Sequence, residues 1–259
     1  MWRDRRLLDL FGIEHPIVQA PMAGAQGSAL AIAVCEAGGL GSLPCALLSI
    51  DQARIEMQII RQRTDRPFNI NFFCHQAPVA DAARDAKWIE RLAPYRRELG
   101  VEQAMVPGGR APFGEEACAL VEEYKPRVVS FHFGLPAEPL LARVKRAGSR
   151  VIASATTVEE ARWLETRGVD AVIAQGAEAG GHRGMFLCDD IVSQPGTFAL
   201  VPQVVDAVRV PVIAAGGIGD ARGIAAALML GAAGVQIGTA YLLTPESTIS
   251  PIYRAALNG

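Results

Sequence analysis

Eight short runs of apolar or β-branched residues recur along the chain, and most are followed by a stretch whose apolar positions return at helical spacing. The runs are "PIVQAPM" (16–22), "GLGSLP" (39–44), "FNINFF" (68–73), "RVVSFHF" (127–133), "RVIASA" (150–155), "AVIAQG" (171–176), "VPVIAAGG" (210–217) and "GVQIGTAYL" (234–242). The stretch "TVEEARWLETRG" shows the helical pattern, with Val158, Ala161, Trp163 and Leu164 marking one side. Thr157 offers an N-cap hydroxyl, Glu160 stands three residues on as in a capping box, and Gly168 suits the stop. Strands that alternate with helices imply βαβ units and a parallel sheet. Eight such units predict an α/β protein of the (β/α)8 TIM-barrel type. An open dinucleotide-binding sheet fits less well, because the first turn, "APMAGAQGS", lacks G-x-G-x-x-G.

The pattern is interrupted between residues 74 and 112, where Pro78, Pro94, Pro107 and Pro112 fall. This excursion is longer than a barrel turn needs. It is expected to carry a small inserted helix around "ADAARDAKWIERL" and to cover one side of the barrel mouth. The opening "MWRDRRLLDLF" reads as a short amphipathic lead-in helix. At 259 residues, the whole of 1–259 is expected to form one barrel domain.

Composition narrows the function classes. A net charge of −2, with no Lys/Arg cluster, gives no electrostatic footprint for nucleic acid. The basic start lacks the apolar core of a signal peptide. The longest apolar stretch, "GIAAALMLGAAGVQIGTAYLL", is broken by glycines and by Gln236, so no membrane span is expected. Five scattered cysteines (35, 45, 74, 118 and 188) without a C-x-x-C pair argue against zinc or a disulfide scaffold and fit a reducing cytoplasm. They read as small buried apolar residues.

In this fold ligands sit at the C-terminal ends of the strands, and phosphates are often held by the loops after strands seven and eight. Strand seven ends in "AAGGIGDARG", where Gly216, Gly217 and Gly219 allow close backbone approach and Asp220 suits a helix cap. Strand eight ends in "QIGTAYL", adding Gly238 and Thr239. These glycines either make tight turns or cradle a phosphate; two such segments at the prescribed positions favour the phosphate. A third glycine-rich stretch, "AQGAEAGGHRG", places Gly180 and Gly181 where a flat ring could lie, with His182 and Arg183 at its edge. Asn71 and Gln175 are amides in otherwise apolar strands; either a flavin or nucleobase edge or neighbouring loops must satisfy them.

Of the four histidines, His132 stands out because it interrupts the strand "RVVSFHFGLP". Alternation puts Val128, Ser130 and His132 on one face, and Val129, Phe131 and Phe133 on the other. The large aromatics suit the layer under the helices, so His132 is expected inside, near the top of strand four. It is either a core histidine satisfied by a backbone carbonyl or a base at the mouth. His75 and His182 lie near enough to the strand ends to reach a ligand, whereas His15 reads as solvated or capping.

Taken together, "PIVQAPMAG", "PFNINFFCH", "VSFHFGLP", "AQGAEAGGHRG", "AAGGIGDARGIAAALMLGA" and "VQIGTAYLLTPES" resemble the nitronate monooxygenases, formerly 2-nitropropane dioxygenases, of bacterial class I. The resemblance runs in order over nearly the whole chain. It implies an FMN-dependent flavoprotein that oxidises alkyl nitronates such as propionate 3-nitronate with O2, giving a carbonyl compound plus nitrite or nitrate, without a metal. It assigns FMN contacts to Met22, Asn71, Gln175, Gly180, Gly217, Gln236, Ile237, Gly238 and Thr239. His132 becomes the catalytic base or substrate-orienting residue, with His182 in the vicinity of flavin or substrate. A homodimer is left open. Family members continue past "SPIYRAALNG" into a helical segment over the flavin, which this chain is expected to lack. Two other readings remain: an FMN barrel that takes hydride from NAD(P)H to reduce a quinone or enoyl-thioester, and a non-catalytic flavin-binding protein.

Overall fold

The computed structural model describes residues 2–77, 79, 81–101 and 111–259. They fall into two compact units: residues up to 75 together with 112 onward, and residues 76–111.

The larger unit contains all eight expected strands: β1 (Ile17–Gln19), β2 (Gly41–Pro44), β3 (Phe68–Phe73), β4 (Val128–His132), β5 (Arg150–Ala155), β6 (Ala171–Gln175), β7 (Val212–Ala215) and β8 (Gly234–Ile237). The helices of this unit are α1 (Arg6–Phe11), α2 (Ser28–Glu36), α3 (Ile50–Arg63), α5 (Glu115–Tyr124), α6 (Glu138–Arg146), α7 (Val158–Thr166), α8 (Thr197–Ala207), α9 (Ala221–Met229) and α10 (Pro251–Asn258); α4 (Ala82–Glu98) belongs to the smaller unit. The strands pair in parallel in the order β1-β8-β7-β6-β5-β4-β3-β2. The remaining seam, between β1 and β2, is joined by one bridge from Val18 to Leu40. There the Gln19 side chain does the work of a ladder, accepting from the Ser42 N–H at 2.8 Å. Gln26 reinforces it by bonding Gln19 and donating to the Ser42 carbonyl at 2.5 Å. The result is a (β/α)8 barrel.

Strand alternation divides the core in two. Val129, Phe131, Val151, Ala153, Val172 and Ala174 pack outward under the helices. Val128, Ile152, Ile173 and Ile213 fill the interior and meet Leu7, Leu8 and Phe11 of α1. The lead-in helix thus packs against the barrel's inner core, each buried side chain contributing about 1.5–3 kcal/mol.

The smaller unit is built on α4, capped by Asp81, whose carboxylate accepts from the Arg84 N–H at 3.0 Å. The helix runs on to Glu98 through Pro94, past the expected end near Leu92; proline removes one helix hydrogen bond there without ending the helix. Pro78 and Pro107 lie outside the described residues.

Candidate active site at the barrel mouth

His132 is the last residue of β4 and shares the inward face with Ser130 and Val128, as alternation requires. Its Nδ1 lies 3.0 Å from Ser154 Oγ on β5, and its Nε2 lies 2.9 Å from the His182 carbonyl oxygen. A carbonyl can only accept, so Nε2 carries the proton and Nδ1 accepts from the Ser154 hydroxyl. Burial pushes the His132 pKa down to about 4; the His182 carbonyl and the Glu160 charge only partly oppose it. The imidazole is therefore neutral at pH 7, with one defined tautomer.

Phe133 departs from its expected place under the helices. β4 stops at His132, and Phe133 takes a positive φ of 65° before Gly134. The left-handed step turns its ring back to the mouth, where it packs edge-on at 4.6 Å from His132 and 5.2 Å from Phe73. Phe73 and Phe133 form an aromatic seat that gathers three histidines. His75 contacts both rings, as does His182, and Phe73 also meets His132. His15 stands elsewhere, against Trp2.

The loop after β6 folds over this seat and is held at several points. Gln175 Nε2 donates to the His182 carbonyl at 2.9 Å, and Gln175 Oε1 accepts from the Gly184 N–H at 2.7 Å. Arg183 donates to the Ala177 carbonyl and to Gln194 Oε1. Gly184 lies directly on the imidazole: a Cβ there would sit 2.7 Å from His132 Cε1 and 3.0 Å from Ser154 Cβ. Further out, the fully buried Glu160 of α7 accepts from the Phe186 and Leu187 N–H groups at 2.6 and 3.1 Å. Its other oxygen accepts from Thr156 N and Oγ1 at 2.7 and 2.8 Å. The capping box expected at the start of α7 is only half formed. The Thr157 hydroxyl caps the helix, but Glu160 reaches Thr156 and the loop instead of closing the box.

The amides do not all stand as expected. Gln175 finds its partners in its own loop, and Asn71 Nδ2 donates to the Ser130 carbonyl and hydroxyl at 3.2 and 3.0 Å. Among the described residues the buried side-chain atoms without a partner are Gln236 Oε1 and Asn69 Oδ1. Gln236 belongs to β8, its Cα paired with Ala215 of β7.

The glycine loops after β7 and β8 have the conformations that the phosphate reading needs. Gly216 and Gly217 take φ of 109° and 68°, and Asp220 caps α9 through the Arg222 and Gly223 N–H groups. Gly238 precedes a 3-10 turn (Thr239–Leu243) that has no side-chain cap. A Cβ on Gly180 would lie 3.3 Å from Thr239 Oγ1, and one on Gly238 would lie 3.7 Å from Met22 Sδ. Met22, Gly180, Gly238 and Thr239 are thus brought together. Beside Gly217, Glu178 caps α8 through Thr197 N and Oγ1. Burial disfavours the Glu178 charge, but these hydrogen bonds hold its pKa below the ordinary value. Ile237 is different: its side chain belongs to the outer core and its carbonyl accepts from Ala20 at 2.7 Å.

Sequence reasoning missed Ser154, Phe73 and Phe133 around His132. It gave Glu160 only a capping role. For Ser154 a signal existed, since it follows Ile152 on the inward face of β5. Cys35 and Cys45 are buried, with pKa values pushed up by burial to about 11 and 12, which removes thiolate reactivity at neutral pH. No metal-competent cluster and no membrane-length apolar helix occur among the described residues.

A parallel (β/α)8 barrel whose strand ends carry a half-buried imidazole and three glycine-rich loops has the architecture of a barrel enzyme. The chain belongs to the nitronate monooxygenase family, whose model, "Nitronate monooxygenase", matches residues 4–258. A nitronate monooxygenase of Paraburkholderia phytofirmans is 49% identical over 98% of this chain and 70% of its own length. One of Pseudomonas aeruginosa is 45% identical over 98% of this chain and 73% of its own. Among solved structures, a nitroalkane oxidase from Streptomyces ansochromogenes superposes with a TM-score of 0.90 at 41% identity, covering 98% of this chain and 73% of the other. FabK from Thermotoga maritima superposes less closely, with a TM-score of 0.73 at 34% identity over 98% of this chain and 67% of the other. The protein is thus an oxidoreductase of the nitronate monooxygenase type, in a family that is flavin-dependent in general.

Proposed function

We propose that this enzyme oxidises alkyl nitronates with O2, giving a carbonyl compound plus nitrite or nitrate, with FMN as cofactor and no metal. The observation that carries the reading is the neutral His132, fixed as its Nε2–H tautomer at the top of β4, in a chain that superposes on a nitroalkane oxidase. The residues present fit FMN. Gln236 Oε1 is a buried acceptor without a donor, matching a polar ring edge, and Gly217 takes a left-handed turn after β7 of the kind that aims main-chain N–H groups at a phosphate. Met22, Asn71, Gly180, Gly217, Gln236, Gly238 and Thr239 would hold the group, with Ile237 taking part through its main chain alone and Gln175 acting through the loop it ties down. When bound, the flavin supplies the electron transfer; the protein supplies position and electrostatics.

His132 suits two roles of unequal ease. Its Nε2–H needs only to exchange the His182 carbonyl for an anionic nitronate oxygen, so orienting a preformed nitronate requires no change of tautomer. Taking a proton from a neutral nitroalkane requires a free lone pair, and that on Nδ1 is already engaged by Ser154. Nitronates are therefore the favoured substrates over neutral nitroalkanes.

The purified protein is expected to be yellow, to release FMN on denaturation, and to consume O2 with nitronate. A protein bleached anaerobically by NADH and inert to nitronate would instead support the reductase reading, toward which the FabK likeness points. A yellow protein inert to both would support a binding protein.

A further inference from the structure

Glu160 has no part in any FMN or substrate contact assigned above, yet it is a completely buried carboxylate with four hydrogen-bond donors. Two donors belong to Thr156 at the end of β5, and two are main-chain N–H groups of the loop after β6. That division makes it a clamp between a barrel strand and the loop. Between the clamp and the imidazole the chain is short and tightly fitted. Phe186 packs against Trp163 at 5.0 Å, Gly184 lies on the His132 ring, and the His182 carbonyl accepts from the His132 Nε2–H.

We propose that Glu160 is a positioning residue for His132: by tying Phe186 and Leu187 to β5 it holds the His182 carbonyl on Nε2 and thereby fixes the tautomer and burial of the imidazole. The proposal rests on the reading of His132 as the functional histidine, but its test does not need turnover.

The titratable groups that face the imidazole are Glu160 from α7 and His182 from the loop. Removing the Glu160 charge without moving the loop would drive the His132 pKa further down, since that charge supports the imidazolium. Lifting the loop would remove the His182 carbonyl's support but expose the ring, and because burial is the larger cause the pKa would rise. The two effects have opposite signs, so titration separates them.

The experiment follows the His132 ring resonances by NMR against pH, assigned by their absence in His132→Asn, in the wild type, Glu160→Gln and Glu160→Asp. Glutamine keeps the shape but replaces an acceptor oxygen with a donor. Aspartate keeps the charge but is too short to span both segments. Circular dichroism and thermal melting confirm folding in each case. The expected result is a wild-type titration near pH 4 and an upward shift toward the ordinary 6.5 in both variants, with loss of the single Nε2–H tautomer. Should glutamine prevent folding, aspartate alone decides. A folded variant whose His132 titrates at or below the wild-type value would overturn the proposal. Nitronate turnover is measured separately: a wild type without it would defeat the proposed reaction and leave the titration result standing.

Discussion

His132 keeps its proton on Nε2 because the two groups around it leave no other choice: a carbonyl that can only accept and a hydroxyl that can donate. Replacing it with asparagine removes the imidazole and its Nε2–H, leaving an amide near the Nδ1 position beside Ser154. His132→Asn is expected to retain FMN and to lose most turnover on preformed nitronates, which the Nε2–H would orient, as steady-state oxygen consumption would register. Activity unchanged from the wild type on both nitronates and neutral nitroalkanes would make the residue structural. The pH profile follows from the same environment. Since His132 is neutral down to about pH 4, kcat/KM for a preformed nitronate should show no ionisation near 6.5 from this group. A limb at 6.5 that disappears in His132→Asn would contradict the lowered pKa of His132. Part of this was legible in the residue string. Alternation alone placed His132 inside and Phe131 outside. The position of Phe133 was not legible, because a positive φ on a phenylalanine breaks the alternation and leaves no mark in composition.

At the level of elements, the eight strands were readable because each is a short apolar run flanked by helical spacing, and tertiary packing did not contradict those local preferences. The loops were half readable. Glycine-rich stretches after β6, β7 and β8 marked the mouth, but not how it is held. Glu160 looked like a capping residue, since a carboxylate at N3 serves a helix start and a distant loop equally well at the level of spacing. Gln175 looked like an amide in need of a ligand, and its partners proved to be seven and nine residues away in its own loop. Gly217 allows a direct test of the loop after β7. Gly217→Asp is expected to abolish FMN retention, because a carboxylate would repel the phosphate and any side chain is strained at a φ of 68°. Gly217→Ala carries the strain, roughly 1–2 kcal/mol, without the charge. It should keep part of the flavin, read from absorbance after gel filtration. Equal flavin loss in both variants would assign the effect to strain, and full retention in Gly217→Asp would remove Gly217 from the phosphate site.

For the molecule as a whole, the half-buried imidazole links the site to acid stability. The folded chain holds His132 near pKa 4, whereas an unfolded chain returns it to about 6.5. Between those values the unfolded state binds a proton that the folded state refuses, so stability falls as pH falls through that window. The slope approaches about 1.4 kcal/mol per pH unit where the difference is a whole proton, and it levels off below pH 4. Glu178 and Asp220 act in the same sense as the histidine, at lower pH. Their pKa values are also lowered in the fold, but as acids they stay charged until lower pH, so their share of stability persists above the ordinary carboxylate range and is lost only as pH drops through their folded values. The two kinds of group thus act in successive windows, the histidine first. Urea midpoints measured at pH 7.0, 5.5 and 4.5, each to within about 0.1 M, should fall steeply in the wild type and more gently in His132→Asn, which has nothing to protonate at that site. Parallel curves for the two proteins would show that the acid sensitivity arises elsewhere and that His132 is not held neutral by the barrel.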